Sequence, residues 1–395
     1  MRLGKVVACL TLALFAVVAQ ASAQPARGRA VTGQIVVTFA PSANANARAA
    51  AHRVARGRQL NEIPGRGVAL VAVPDGDEAD AIARYRRNPN VVAAEPNYIR
   101  HVPVPTAHGS GPTVVPGDHY FGQQWALHNT GQEFYCIAWI FGDLCLLQGT
   151  AGADIHAPEA WEISTGTPAI LVAVIDTGVD YTHPDLASHY AGGYDFVSND
   201  LDPLDDHGHG THVAGTIAAS LGNLTGNPAA AEGVVGVAPE ARILAYKVCA
   251  ADGTCNDFAV SQAVAQAVAD GAKVINLSLG DTVWSESLNQ SVQAAWNAGV
   301  VIVGGAGNDG TTAPFYPAAF DNVISVGAFD EDHKRASFSN YGTWVDVSAP
   351  GNYILSTYPM SKCEEAGTPG DTGCYAWNSG TSMATPHVAG AAALI

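Results

Sequence analysis

The chain has 395 residues and a formal charge of −17, from 19 Lys and Arg against 36 Asp and Glu, a balance without the basic footprint of a nucleic-acid binder. Apolar residues make up 48% and charged ones 14%, with 42 Gly and 22 Pro, which suits a filled globular core with many turns and excludes disorder and collagen. The charge is split, with +5 on residues 24–105 and −24 on residues 106–395, so a small basic segment precedes a large acidic body.

Residues 1–23 have the layout of a secretory signal: Arg2 and Lys5, the apolar run Val6 to Ala19, then Ala21, Ser22 and Ala23 as a small-residue cleavage site. The run is shorter than the roughly 20 residues that span a bilayer, and no later segment is longer and uncharged. The expected location is extracellular or periplasmic, with no membrane anchor. Without Cys9 six cysteines remain, in the local couples Cys136 and Cys145, Cys249 and Cys255, and Cys363 and Cys374. An even number in an exported chain favours disulfides, but the sequence leaves the pairing open.

Residues 24–101 form a first unit. GQIVVTF alternates like a strand, ARAAAHRVA is helical, VALVAV is apolar, DEADAIARYRRN is a charged helix and VVAAEPNY closes the pattern. This predicts a small α+β domain. Residues 102–118, rich in Pro, Gly and Thr, read as an exposed linker where chain cleavage concentrates.

Residues 119–395 change period. The apolar β-branched runs ILVAVID, RILAYKV, KVINLSL, VVIVGGAG and NVISVGAF alternate with the helical stretches HVAGTIAAS, FAVSQAVAQAVADG and SLNQSVQAAWNAG. Continuous apolar strands joined by amphipathic helices predict an α/β fold, a mostly parallel doubly wound sheet with helices on both faces. In such sheets the functional groups sit at the carboxyl ends of the strands. Three segments stand out there. VIDTGVD places Asp176 at the end of a buried strand, HGHGTHVAG places His209 at a helix start, and GTSMATPHVAG places Ser382 at another. A serine hydroxyl is a weak nucleophile, so a histidine must take its proton and a buried aspartate must orient the imidazole. His207, His209 and His212 lack the HExxH pattern of a zinc site.

The blocks DTGVD, HGTHVAG and GTSMATPHVAG, in that order and together with INLSLG and AGN, resemble the signature of the subtilisin-like serine proteases, the subtilase family. The resemblance implies a secreted serine endopeptidase with Asp176, His209 and Ser382 as triad and Asn308 as side-chain oxyanion donor. It also implies that Ser278, Leu279 and Gly280 line one edge of the substrate cleft and Asp252, Gly253 and Thr254 the other, with polypeptide bound by strand addition. Pro317 resembles a cis-proline of the family, against the trans default of any X-Pro bond. Asp185 in THPDL matches a carboxylate of a structural calcium site, although the loop that would complete it is longer here; no cofactor is expected for catalysis. The first unit resembles the family's propeptide, an intramolecular inhibitor and folding aid, with cleavage expected between about Ile99 and Asp118. A monomer acting on polypeptides, self-processed from a zymogen, is the expectation. The rival is a non-catalytic binding protein on the same fold, disfavoured because all four catalytic positions are intact. The end at Ile395, soon after Ser382, reads as a truncation that leaves the AGAAALI face of the serine helix poorly covered.

Overall fold

The computed structural model describes residues 29–101, 120–138, 143–222, 233–366 and 374–395. The expected signal and linker lie outside them. The N-terminal unit runs β1 (Ala30–Phe39), α1 (Ala45–Ala55), β2 (Arg58–Ile63), β3 (Val68–Ala72), α2 (Glu78–Arg86) and β4 (Val91–His101). Alternation in β1 buries Ile35, Val37 and Phe39 with Ala51, Ala55 and Tyr85 of the two helices, while Val36 faces the other way. β2 is absent from the sequence reading because RQLNEI is almost entirely exposed and carries no apolar alternation.

The second unit begins with a hairpin, β5 (Glu133–Ala138) and β6 (Asp143–Gln148), in which Cys136 and Cys145 are register partners. There follow α3 (Ala157–Trp161), β7 (Leu171–Asp176), β8 (Tyr190–Asp195), α4 (His209–Ala218), β9 (Arg242–Lys247), β10 (Thr254–Asn256), α5 (Asp257–Ala269), β11 (Val274–Leu277), α6 (Glu286–Asn297), β12 (Val301–Gly305), β13 (Ile324–Phe329) and β14 (Val347–Pro350). A second hairpin, β15 (Ile354–Thr357) and β16 (Tyr375–Asn378), flanks α7 (Cys363–Ala366), and α8 (Thr381–Leu394) closes the described chain. Disulfides join Cys249 to Cys255 and Cys363 to Cys374, as neighbour pairing anticipates.

The central sheet has the order β14-β13-β12-β11-β7-β9-β8, and its pairs are parallel. Its two faces are set residue by residue. In β7, Val172 and Val174 point to a core with Val213 and Ile217 of α4 and Met383 and Ala384 of α8, whereas Ala173 and Ile175 point to Val260 and Val264 of α5 and Leu288 and Val292 of α6. Helices therefore cover both faces, the expected doubly wound arrangement. The Tyr316–Pro317 bond is cis. Ala389, Gly390 and Ala393 of the serine helix are buried, and a Cβ on Gly390 would stand 2.6 Å from Val237 Cβ, while Ala391 and Ile395 are exposed.

The two units share a sheet. β4 pairs antiparallel with β10, setting His101 opposite Thr254, Arg100 opposite Cys255 and Ile99 opposite Asn256. The second face of the N-terminal sheet packs Val36, Ile63 and Val68 against Phe258 of α5. Glu95 accepts the Glu286 and Ser287 N–H bonds at 3.0 and 2.8 Å, capping α6, and Asn97 Oδ1 accepts from Phe258 N at 3.3 Å in the first turn of α5. Each contact satisfies helix-start donors that have no intrahelical partner.

Candidate active site

The carboxyl end of β7 delivers Asp176 into the interior, where it is fully buried. One oxygen, Oδ1, accepts from Thr177 N at 2.7 Å and bonds His209 Nδ1 at 2.7 Å. His209 opens α4 and is 1% exposed. The close approach depends on Gly210, whose N–H donates to Thr177 Oγ1 at 2.9 Å and whose position leaves no room for a Cβ beside the Gly178 carbonyl. With Nδ1 engaged by the carboxylate, His209 Nε2 has no hydrogen-bond partner among the described residues. An imidazole held this way presents a free acceptor nitrogen.

Ser382 sits in the first turn of α8, which packs on α4. Its hydroxyl donates to the Ser278 carbonyl at 3.3 Å, so it is turned away from a bond to His209. The Ser278 hydroxyl in turn donates to the Ser382 carbonyl at 3.0 Å, tying the end of β11 to the serine helix. Asn308 Oδ1 accepts from Thr381 N at 2.9 Å and Thr381 Oγ1 at 3.0 Å, which fixes the amide and aims Nδ2 outward. A Cβ on Gly380 would stand 3.1 Å from Asn308 Nδ2 and 3.6 Å from Ser382 N. Both N–H groups thus lie close to one point beside Gly380.

Asp205 was not singled out in the sequence, yet it knits the site. Its Oδ1 accepts from Thr177 Oγ1, His207 N and Gly208 N, each at 2.9 Å, and its Oδ2 accepts from Thr211 N at 2.9 Å and Thr211 Oγ1 at 2.6 Å. Lys247 is the second such residue: its buried ammonium donates to the Thr177 carbonyl at 2.7 Å and the Cys249 carbonyl at 3.1 Å. His212 is structural, bonding the Ile354 and Ala376 carbonyls at 3.0 and 3.1 Å, and burial pushes its pKa down to about 3.

Of the expected cleft residues, Ser278 and Leu279 are buried at the end of β11. A Cβ on Gly280 would meet the Tyr316 carbonyl at 2.4 Å. Gly253 turns at φ 78°, and the strand that follows it pairs with β4. Asp185 is buried, and its Oδ2 accepts from Val234 N at 3.1 Å and Tyr375 Oη at 3.0 Å. Calcium takes six to eight oxygens. Among the described residues no group of three or more acidic, His or Cys side chains surrounds a common point, and residues 223–232 of the expected calcium loop lie outside them.

A family model described as the subtilase family (Peptidase_S8) matches residues 167–395, more than half of the chain. The chain belongs to the subtilase family. A second model, the fervidolysin N-terminal prodomain, matches residues 16–97, so the first unit is a prodomain and the molecule a precursor of a serine endopeptidase. A thermophilic serine proteinase from Bacillus sp. (strain AK1) is 38% identical over 383 residues, covering 93% of this chain and 79% of that protein. Thermitase from Thermoactinomyces vulgaris is 48% identical over 241 residues, 61% of this chain and 79% of its own. Fervidolysin from Fervidobacterium pennivorans, described as a keratinolytic enzyme related to subtilisin, superposes with a TM-score of 0.72 at 28% identity. That match covers 92% of this subtilase, which spans 54% of the fervidolysin chain.

Proposed function

We propose that this subtilase is an exported endopeptidase that cleaves polypeptides through Asp176, His209 and Ser382 and is made as a self-processed zymogen. The observation that carries the reading is the buried His209, bonded through Nδ1 to Asp176 and open at Nε2 beside the serine helix. In the reaction the Ser382 hydroxyl leaves the Ser278 carbonyl, gives its proton to His209 Nε2 and attacks the scissile carbonyl carbon. Asp176 holds the imidazole tautomer and stabilises the imidazolium. The carbonyl oxygen, now an oxyanion, is received by Asn308 Nδ2 and the Ser382 N–H. His209 then protonates the leaving amine, and the acyl-enzyme is released by water that His209 deprotonates.

The prodomain occupies β10, the edge read as one wall of the substrate cleft, and so acts as an inhibitor until it is cut. Because Ile99 to His101 are held in β4, the cut falls within residues 102–119. The basic prodomain against an acidic body favours fast association of the two. The layout of residues 1–23 supports export, and no helix among the described residues is long and apolar enough to cross a membrane. The test is a comparison of wild type and Ser382→Ala on an unfolded protein substrate and on the precursor itself. The variant should stay uncut and inactive; equal hydrolysis by both would end the reading.

A further inference from the structure

Arg100 stands opposite Cys255 in the β4–β10 ladder, and its side chain enters the catalytic unit, where it is fully buried. Its guanidinium meets the Asp257 carboxylate side on, Nε to Oδ1 and Nη2 to Oδ2, the latter at 2.9 Å. Nη1 donates to the Val283 carbonyl at 2.7 Å. Asp257 is the first residue of α5 and 1% exposed, and Val283 lies just ahead of the Ser285 cap of α6. The pocket between these two helix starts therefore offers three acceptor oxygens in an arc, two of them sharing a negative charge. That set matches a planar guanidinium and matches no neutral side chain as well.

Arg100 belongs to the prodomain, so its departure empties the pocket and frees the β10 edge together. The Asp257 carboxylate then lacks its partner, and a substrate strand that pairs with β10 in the register of β4 brings one side chain to the same place. We propose that Asp257 is a specificity-determining residue that makes the mature enzyme select arginine at the substrate position opposite Cys255, upstream of the scissile bond. This rests on the endopeptidase reading above and narrows its substrates to polypeptides with arginine at that position. Lysine is second best, because an ammonium cannot make the paired planar contact, and glutamate is rejected. The precursor meets the same rule, since Arg100 precedes the proposed cut in its own chain.

The test uses mature enzyme released from the full precursor and quenched-fluorescence peptides of one sequence, with Arg, Lys, Gln or Glu placed in turn at each of the upstream positions. At one position Arg should raise kcat/KM over Gln by on the order of 10- to 100-fold, the range for a charged bidentate contact. The variant is made as Asp257→Asn with Arg100→Gln, so that the precursor buries two amides rather than an unpaired charge while folding; its mature form carries Asp257→Asn alone. There the Arg-to-Gln ratio, read within one preparation and independent of the folded yield, should fall to about one. Hydrolysis with no arginine preference at any position, or a preference retained by the Asp257→Asn enzyme, would overturn the proposal while leaving the endopeptidase reading intact. Failure to cut any peptide would overturn both.

Discussion

Replacing Gly210 by alanine isolates the packing that brings His209 to Asp176. A Cβ there would stand 2.0 Å from the Gly178 carbonyl oxygen, 3.1 Å from Asp176 Cβ and 3.2 Å from Asp176 Oδ1, whereas ordinary contacts begin at 3.4 Å. The obstacle is backbone, so relief requires the start of α4 to retreat by about 1.4 Å from the turn after β7. A retreat of that size takes the 2.7 Å bond between His209 and Asp176 to about 4 Å, beyond hydrogen-bond range. Misplacement by about 1 Å costs on the order of 10²-fold, and complete loss of the orienting carboxylate about 10⁴-fold. Gly210→Ala should therefore lower kcat by about 10² to 10⁴ with KM changed little. Helix propensity alone has the opposite sign, favouring alanine by about 1 kcal/mol, so the two accounts separate. The assay is steady-state hydrolysis normalised by active-site titration, with Gly122→Ala as control because its Cβ would meet nothing within 4 Å. A Gly210→Ala enzyme with kcat within threefold of wild type would refute the packing argument.

Three further outcomes follow from the same geometry. Asn308→Ala should lower kcat by about 10² to 10³ while leaving KM nearly unchanged, since its Nδ2 acts on the oxyanion and not on the bound peptide; a rise in KM alone would contradict that role. Burial pushes His212 down to about 3 and His387 down to about 4 from the usual 6.5, so below 6.5 the unfolded chain takes up protons these residues refuse, and stability falls with pH. The slope of unfolding free energy between pH 6 and 4.5 should report this uptake, and His387→Gln should reduce it by about one proton, or about 1.4 kcal/mol per pH unit; an unchanged slope would sink the assignment. Asp185 is satisfied by Val234 and Tyr375, so a chelator should move the melting midpoint equally in wild type and Asp185→Asn, and a shift confined to wild type would place calcium on Asp185.

The parts legible in the sequence were those where burial leaves a period. β7, β9, β11, β12 and β13 are largely buried on both faces and read as predominantly apolar runs. β2, β8 and β14 lie at sheet edges, where exposed or glycine-rich stretches such as YAGGYD leave no such pattern. Asp176, His209 and Ser382 drew notice because each ends a strand or opens a helix within a short motif, and Asn308 because of the resemblance to the subtilase signature. Asp205 did not, because its role is a set of hydrogen bonds to Thr177, Gly208 and Thr211 that exists only once α4 is folded against the end of β7. Asp257 was harder still: its partner Arg100 lies 157 positions earlier, in the other unit.

The most direct measurement of the central claim is mass spectrometry of the mature enzyme after titration with a serine-directed sulfonyl fluoride. One adduct per chain, on Ser382, with activity lost in proportion to labelling, is the predicted result. Full hydrolytic activity in protein quantitatively labelled at Ser382, or an adduct at another serine that alone accounts for the inactivation, would contradict it.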